Sequence, residues 1–171
     1  MMDVVDPATR SRMMSGIRGK NTRPEMLVRK FLHGHGFRYR LHSKSLPGSP
    51  DIVMRKWKVA VLVHGCFWHR HEGCRFSTTP GSNVGHWQSR FEENTVRDRR
   101  NVCELVARGW RVIILWECGL REVKAGKLNL LWLLDSIRTA NCAGRLLEWP
   151  QAEGKLGPEH HSTISTVGLL T

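Results

Sequence analysis

Two apolar runs separated by a long amphipathic stretch place the strongest constraint on how this chain can fold. Residues 59–63 (Val-Ala-Val-Leu-Val) form a continuous apolar run of strand length with charged flanks. A second run covers residues 110–116, and between the two a helix-period pattern extends from His86 to Gly109. Continuous apolar runs are typical of strands covered on both faces, and strand, helix and strand in that order favour a right-handed parallel crossover. The sequence therefore predicts a mixed α/β sheet flanked by helices.

The segments before these runs extend the sheet and cover it. Residues 22–25 (Thr-Arg-Pro-Glu) have the spacing of a capping box and precede a helix-period apolar face. Residues 37–41 alternate like a half-buried strand, and a Pro-Gly turn leads into a second strand at residues 52–54. These two strands are predicted to form an antiparallel hairpin beside the parallel pair. A further amphipathic helix is predicted from Leu128 to about Thr139.

The two ends of the chain are predicted to lie outside this domain. Residues 1–21 contain a short basic helix too polar for a core, which indicates a mobile arm, although ordinary terminal disorder would give the same composition. Residues 22–140 form the domain, and within it the loop at residues 66–85 is too long for a simple connection unless a metal organises it. Residues 141–171 are predicted to be a disordered tail, since the sequence beyond Trp149 lacks periodicity.

The charge of the chain indicates a polyanionic partner. Its 171 residues include 27 Lys and Arg against 15 Asp and Glu, which leaves a formal charge of +12. No segment approaches the roughly 20 apolar residues of a transmembrane helix, and the start at Met1 lacks a signal-peptide pattern. We therefore expect a cytoplasmic, nucleoid-associated protein with no membrane partner. A surface whose charge only solvates the protein would give the same composition.

Three cysteines and one histidine have the composition of a structural zinc site. Cys66, His71 and Cys74 lie within one loop, and Cys118 follows a strand that could return beside it. Three thiolates and one imidazole make a closed tetrahedral set that leaves no position for water. The five cysteines are an odd number in a chain without an export signal, which argues against a disulfide framework. The alternative is that they are reduced thiols packed as small hydrophobic side chains.

Asp51 and His69 are the candidates for hydrolytic chemistry. Asp51 begins a strand beside the buried strand that ends at His64, and nucleases place carboxylates at such strand ends to bind hard cations. Asp is also a common residue at the start of a strand. His69 is suited to removing a proton from water near neutral pH, but a zinc-ligand or surface role would fit its loop equally well. Glu25, at the third position of a capping box, has the alternative role of capping its helix.

Three aromatic residues are candidates for contact with bases. Phe67 and Trp68 are adjacent among charged neighbours, and Trp87 lies near the start of the long helix. In a basic protein such rings can wedge between base pairs and unstack them. The residues alone favour the other interpretation, in which the rings cover the metal loop and pack inward.

Together these segments resemble the very short patch repair family of bacterial DNA mismatch endonucleases. The resemblance runs from about Asp6 to Cys118, weakly through the helix at Leu128, and not into the tail. It rests on residues 6–11 (Asp-Pro-Ala-Thr-Arg-Ser), residues 46–51 (Leu-Pro-Gly-Ser-Pro-Asp), residues 64–69 (His-Gly-Cys-Phe-Trp-His), Asn94 with Arg97-Asp98-Arg99-Arg100, and Gly109-Trp110-Arg111 leading to Trp116-Glu117-Cys118.

This resemblance implies a restriction-endonuclease-like fold and a magnesium-dependent nick on the 5′ side of the thymine in a thymine–guanine (T:G) mismatch. Such mismatches arise where 5-methylcytosine has deaminated. Carried over by position, Asp51 would bind magnesium through its carboxylate and Val63 through its backbone carbonyl. His69 would be the general base, with Glu25 and His64 supporting the catalytic site. The wider nuclease superfamily usually has Glu and Lys where this chain has Val63 and His64.

The same resemblance assigns further residues to zinc and to DNA. The implied zinc ligands are Cys66, His71, Cys74 and Cys118. The implied DNA contacts are Phe67, Trp68 and Trp87 as a wedge from the major groove, Met14 and Ile17 from the minor-groove side, and Asn94.

The implied partner is double-stranded DNA that carries the mismatch. We also expect a monomer with a functional link to a cytosine-5 DNA methyltransferase and to general mismatch-repair proteins. Two other functions stay open on sequence grounds. One is an endonuclease of a restriction system that acts on matched DNA, and the other is a noncatalytic zinc-stabilised DNA-binding module.

Overall fold

A computed structural model describes Asp6, Thr9 and residues 19–139 and 144–151. In chain order its helices and strands are α1 (Arg23–Gly34), β1 (Arg40–Leu41), β2 (Ile52–Met54), a 3-10 turn (Arg55–Trp57), β3 (Val59–His64), α2 (Val84–Ala107), β4 (Arg111–Trp116), α3 (Glu117–Lys124), α4 (Leu131–Arg138) and β5 (Leu146–Trp149). Among the helices of the described residues, none has the length and apolar character needed to cross a membrane.

One five-stranded mixed sheet organises these elements, with the strands in the order β1-β2-β3-β4-β5. The first three strands pair antiparallel, whereas β3, β4 and β5 run parallel. Helix α2 makes the crossover from β3 to β4, which confirms the α/β mixed sheet predicted from the two apolar runs. The parallel register sets His64 beside Trp116, so both central strands end at the same edge of the sheet.

Burial on both faces explains why β3 and β4 lack polar alternation. Every residue of β4 is buried, and so is every residue of β3 except Val63. An apolar cluster that includes Val28 of α1 and Leu133 of α4 covers one face of the sheet. A second cluster, which includes Leu105 of α2, covers the other. Burial of these side chains stabilises the sheet by about 25 cal/mol per Å² of apolar area removed from water.

The capping box at the start of α1 forms as predicted. The hydroxyl of Thr22 accepts the backbone N–H of Glu25 at 3.4 Å, and the Glu25 carboxylate accepts the backbone N–H of Thr22 at the same distance. Pro24 fits the first turn because the N–H that it lacks has no partner within a helix there. The cap fixes the position from which Glu25 approaches the edge of β2.

The sheet extends further along the chain than the sequence analysis predicts. Leu146–Trp149 falls within the predicted tail, residues 141–171, but pairs in parallel with β4 as the fifth strand. This correction has a physical reason: the Trp149 ring packs against the core beside Trp132, with ring centroids 5.5 Å apart. Helix α3 was not predicted from the sequence either, because it follows β4 directly, with no Gly or Pro to mark where it begins.

Two other predicted elements are present but begin later in the chain than the sequence predicts. The predicted strand at residues 37–41 is a strand only at Arg40–Leu41. The last helix begins at Leu131 rather than Leu128. The predicted N-terminal helix, including Met14 and Ile17, lies outside the described residues apart from Asp6 and Thr9, and so does the predicted tail beyond residue 151.

Candidate active site and thiol cluster

A cleft of about 760 Å³ lies at the edge of the sheet where β3 ends. Its walls come from the start of α1, the turn before β2, the first residues after β3, and the cleft-facing side of α2. The ionisable side chains that line it are Glu25, Asp51, His64, His69, Arg97, Asp98 and Glu117. All four residues that the sequence analysis assigned to catalysis therefore share one cleft, although they come from three separate segments of the chain.

Asp51 faces the cleft from the residue before β2. Its Oδ2 accepts the backbone N–H of Val63 at 2.8 Å, across the antiparallel β2–β3 pair. Burial raises the pKa of Asp51 above its usual value, and this outweighs the Val63 hydrogen bond; the neighbouring Glu25 carboxylate raises the pKa further. A cation bound between the two carboxylates would relieve both effects, so the position suits a hard metal ion. The magnesium role of the Val63 carbonyl stays a prediction.

Glu25 caps its helix and also lines the cleft. Its Oε2 accepts a hydrogen bond at 2.6 Å from Arg29, and both side chains are almost fully buried. One oxygen of Glu25, one of Asp51 and a ring nitrogen of His42 lie within 4.8 Å of one another. The two carboxylates could therefore hold a metal ion, with the His42 ring beside them.

His42 was not found by the sequence analysis. Its Nε2 lies 2.9 Å from Arg29, and its Nδ1 lies 3.7 Å from Oδ1 of Asp51. Because Arg29 can only donate, Nε2 of His42 accepts and Nδ1 carries the proton that points towards Asp51. Its backbone φ of 45° is uncommon for a residue other than Gly, which is the one local sign that the chain bends sharply here.

His69 is held by Asp98, a residue to which the sequence analysis gave no role in the site. Nδ1 of His69 lies 2.5 Å from Oδ2 of Asp98, which comes from α2. Burial by itself raises the pKa of Asp98, but the hydrogen bond from His69 and the electrostatic attraction of His69 and Arg97 lower it more in sum. The pKa of Asp98 therefore lies below its usual value, and the ionised carboxylate requires the proton of His69 to be on Nδ1. Nε2 is then the basic nitrogen of the ring.

His64 supports this ring from one side. The two imidazoles stack with centroids 3.9 Å apart and planes within 6° of parallel. His64 is 7% exposed, and its ring also meets the edge of Trp116 at 5.3 Å. Burial, and then the charge of His69, lower the pKa of His64 to about 3. His64 is therefore uncharged near neutral pH and offers a flat surface that restricts tilting of the His69 ring.

The thiol cluster consists of Cys66, His71, Cys74 and Cys118, the four residues assigned to zinc from the sequence. Their ligand atoms all lie within 4.8 Å of one another. Nδ1 of His71 is 3.4 Å from Sγ of Cys118 and 3.8 Å from Sγ of Cys66. In a tetrahedral zinc site with bonds of about 2.0–2.3 Å, neighbouring ligand atoms are about 3.5–3.8 Å apart. The cluster could therefore hold zinc with little rearrangement.

The ionisation of the thiol cluster also favours a cation. The hydrogen bond with Cys118, and then burial, raise the pKa of Cys66 to about 12, and burial raises the pKa of Cys74. The hydrogen bond from Cys66 lowers the pKa of Cys118, so the first negative charge goes to that sulfur. Further thiolates would repel it unless a metal ion were bound, as structural zinc sites require. His71 stacks on Trp116 at 4.2 Å, which fixes its ring.

An aromatic group composed of Phe67, Trp68 and Trp87 lies at the surface, where the loop after β3 meets the start of α2. Its ring centroids are 5.0–6.0 Å apart, and each ring is partly exposed. Phe91 of α2 is 5% exposed and lies 5.1 Å beneath Phe67, so it is the ring that fills the interior. The three rings of the aromatic group are therefore neither fully buried nor fully exposed.

Asn94 fixes the loop on which the aromatic group depends. Its Nδ2 donates to the backbone carbonyl of Trp68 at 3.1 Å, from one turn of α2 beyond Phe91. A contact between Asn94 and DNA stays a prediction, and the proposed contacts of Met14 and Ile17 fall outside the described residues.

Known proteins resemble this chain over most of its length. The family model described as DNA mismatch endonuclease Vsr matches residues 2–75. The chain is 40% identical over 154 residues to the DNA mismatch endonuclease Vsr of Escherichia coli strain K12, covering 90% of this chain and 91% of that protein.

Two further relatives are described as type II nicking enzymes. V.XorIIP of Xanthomonas oryzae pv. oryzae is 45% identical over 135 residues, covering 79% of this chain and 98% of that protein. V.NmeAIP of Neisseria meningitidis serogroup A is 41% identical over 140 residues, covering 82% and 99% respectively. The similar proteins therefore carry two descriptions, mismatch endonuclease and nicking enzyme.

Proposed function

Because the chain belongs to the family of the DNA mismatch endonuclease Vsr and is a DNA endonuclease acting on phosphodiester bonds, we propose that it nicks one DNA strand on the 5′ side of the thymine in a T:G mismatch. The nick would start very short patch repair at sites where 5-methylcytosine has deaminated. The observation that carries the proposal is the His69–Asp98 pair, which shares one cleft with the Asp51 carboxylate. A base and a metal-binding carboxylate in one cleft are the elements that phosphodiester hydrolysis requires.

The catalytic step would use His69 as the general base. Nε2 of His69 would accept a proton from the attacking water, whose oxygen bonds to phosphorus as the P–O bond to the leaving oxygen breaks, and the leaving oxygen would take a proton from solvent. Asp98 would hold the ring and stabilise the positive charge that it gains. His64 keeps the ring aligned by stacking. Asp51 and Glu25 would supply carboxylate oxygens for magnesium, with the Val63 carbonyl as a further ligand. Bound magnesium would supply Lewis acidity towards a phosphate oxygen.

Zinc would have a structural role at the thiol cluster. Three of its ligands come from the loop after β3, and Cys118 comes from the first turn of α3. A four-ligand set leaves no open position, so the metal would fix the loop rather than take part in hydrolysis. That loop carries both His69 and two residues of the aromatic group. Bound zinc would therefore help to fix the position of the base relative to Phe67 and Trp68.

The aromatic group would enter the duplex at the mismatch from the major groove. Insertion of apolar rings costs a few kcal/mol of unstacking per step, which is least at a mispaired base. Asn94 would contact DNA beside the rings, and Met14 and Ile17 of the N-terminal arm would reach the minor-groove side. The sheet with its carboxylate-bearing edge also supports a restriction-endonuclease-like fold.

The proposed substrate suggests the setting in which the protein works. Thymine in such a mismatch derives from 5-methylcytosine, so the chain would be linked functionally to a cytosine-5 DNA methyltransferase. A monomer, and a link to general mismatch-repair proteins, are further parts of the proposal.

A duplex panel tests the proposed function. The protein is incubated with magnesium and with duplexes that differ only in one pair, T:G, T:A or C:G, within the same methylation-site contexts. We expect nicking of the T:G duplexes alone. Because two relatives are described as type II nicking enzymes, nicking of one strand in matched DNA is the second candidate, and cleavage of T:A or C:G duplexes would favour it. Binding without nicking of any duplex would leave the zinc-stabilised DNA-binding module.

A further inference from the structure

The cleft at the end of β3, one of two cavities that His69 lines in the described part of the chain, has an excess of acidic side chains. The carboxylates that line it are Glu25, Asp51, Asp98 and Glu117. Among the described residues, Arg97 is the one Lys or Arg side chain in the lining. A phosphodiester that enters carries a negative charge and gains more as the reaction proceeds, so it needs positive charge near the cleaved bond. Arg97 is the permanently charged side chain of this cleft that can supply it.

The side chain of Arg97 is turned towards the catalytic pair. Arg97 and Asp98 are consecutive residues of α2, and consecutive residues of a helix do not normally face each other. Nevertheless Nη2 of Arg97 donates to Oδ1 of Asp98 at 3.2 Å. The other oxygen of Asp98 holds His69, so one carboxylate connects the arginine and the base. This contact keeps the guanidinium on the cleft side of the helix.

The contact with Asp98 uses only a small part of the hydrogen-bonding capacity of Arg97. The guanidinium has five N–H donors, and the contact with Asp98 uses one of its terminal nitrogens. The side chain is 50% exposed, and an ion pair this exposed contributes little to stability. A planar array of donors matches the oxygens of a phosphate. The exposed ion pair with Asp98 therefore gives little reason for the position of the Arg97 side chain, whereas an anion bound in the cleft accounts for it.

We propose that Arg97 binds the phosphate at the cleavage position and stabilises the negative charge that develops there, which makes it a catalytic residue. The inference rests on the proposed use of this cleft for hydrolysis, but not on the identity of the mismatched base. Phosphate binding would compete with Asp98 for part of the guanidinium. Asp98 would then keep His69 in place while Arg97 turns its remaining donors to the substrate.

A binding experiment tests the contact directly. The duplex that the wild type nicks is prepared with a single uncharged methylphosphonate at the cleavage position or at each neighbouring phosphate in turn, and affinity is measured without added magnesium. We expect the wild type to lose affinity about tenfold at one of these positions. Arg97→Gln should bind the unmodified duplex about tenfold more weakly and should not respond to that modification.

Arg100→Gln is the matched control, because it removes the same charge from the same helix but lies outside the cleft lining. This variant should keep the full wild-type response to the methylphosphonate. If Arg97→Gln also kept that response at every position, the proposed phosphate contact would be overturned.

Nicking rates separate direct contact from an effect through Asp98. Arg97→Gln should lower the single-turnover rate about 10²–10³-fold at every pH, because loss of the phosphate contact does not depend on the protonation of His69. Arg97→Lys should recover part of the rate, because it keeps the charge but not the planar donors. A displaced pH profile without methylphosphonate coupling would mean that Arg97 only positions Asp98, which would contradict the proposal. Wild-type preference for T:G over T:A tests the proposed function separately.

Discussion

Nδ1 of His69 and Oδ2 of Asp98 lie 2.5 Å apart, although the two residues are 29 positions apart in the chain. The contact joins the loop after β3 to the middle of α2, the helix that crosses to β4. His69 therefore depends on two supports, the thiol cluster that shapes its loop and the helix that presents Asp98. Each support can be removed separately.

Asp98→Asn should lower the nicking rate while leaving the fold intact. The amide has no charge to stabilise the protonated ring and can present its NH₂ to Nδ1, which would favour the wrong tautomer. General base catalysis contributes about 10²–10⁴-fold, and we expect a loss within that range. The measurement is the single-turnover rate on the T:G duplex. Asp135→Asn on α4, an exposed position outside the cleft, is the control. Equal activity of the two variants would show that Asp98 does not support catalysis by His69.

Cys118→Ser should lose bound zinc and stability together. Elemental analysis of the wild type should give about one zinc per chain, and the variant should retain little, because one thiolate of a closed set is missing. Cys103→Ser is the matched control, since Cys103 is exposed and lies outside the thiol cluster. Unfolding by urea reports stability for each protein. A wild type that folds without zinc, or a Cys118→Ser protein with full zinc content, would refute the assignment.

Trp68→Ala should weaken unstacking at the mismatch more than it weakens the fold. The ring is partly exposed at the surface, while the buried Phe91 beneath the aromatic group remains. A duplex with 2-aminopurine beside the mismatch should brighten when the wild type binds and respond much less to the variant. Trp57→Ala, at the opposite end of β3, controls for loss of any large ring. An unchanged fluorescence response in Trp68→Ala would exclude this ring from the wedge.

Gly119→Ala should destabilise the protein by displacing β5. A Cβ at this position would lie 2.5 Å from Cδ of Pro150 and 2.6 Å from Cζ3 of Trp149. Overpacking of this kind costs about 1–3 kcal/mol of unfolding free energy. Gly85→Ala on α2 meets no atom within 4 Å and should be neutral or slightly stabilising. Equal urea midpoints for the two variants would show that the contact between α3 and β5 is not tight.

The parts of the fold set by local pattern were predictable from sequence. Apolar runs of strand length gave β3 and β4, and the spacing from Thr22 to Glu25 gave the start of α1. The thiol cluster was also predictable, because Cys and His are few and their chemistry restricts what they bind. Strand β5 was missed because four residues with one polar position carry little periodic signal.

A different explanation applies to Asp98 and His42, two residues of the candidate site whose roles the sequence alone did not indicate. Asp98 stands among three arginines on a helix, where an acidic residue usually forms surface ion pairs. His42 lies in a short turn without a motif. The roles of Asp98 and His42 become apparent only in the folded chain, where strand pairing and the crossover from β3 to β4 bring distant segments together. Contacts between segments far apart in sequence depend on the whole fold, which no local pattern reports.

The most direct test of the account is to map the nick at single-nucleotide resolution. A duplex with one T:G mismatch is labelled on either strand and incubated with wild type or His69→Ala in magnesium. The wild type should break only the thymine strand, at the phosphodiester on the 5′ side of the thymine, whereas His69→Ala should bind the duplex but leave both strands intact. Cleavage of the guanine strand, equal cleavage of a T:A duplex, or full activity of His69→Ala would contradict it.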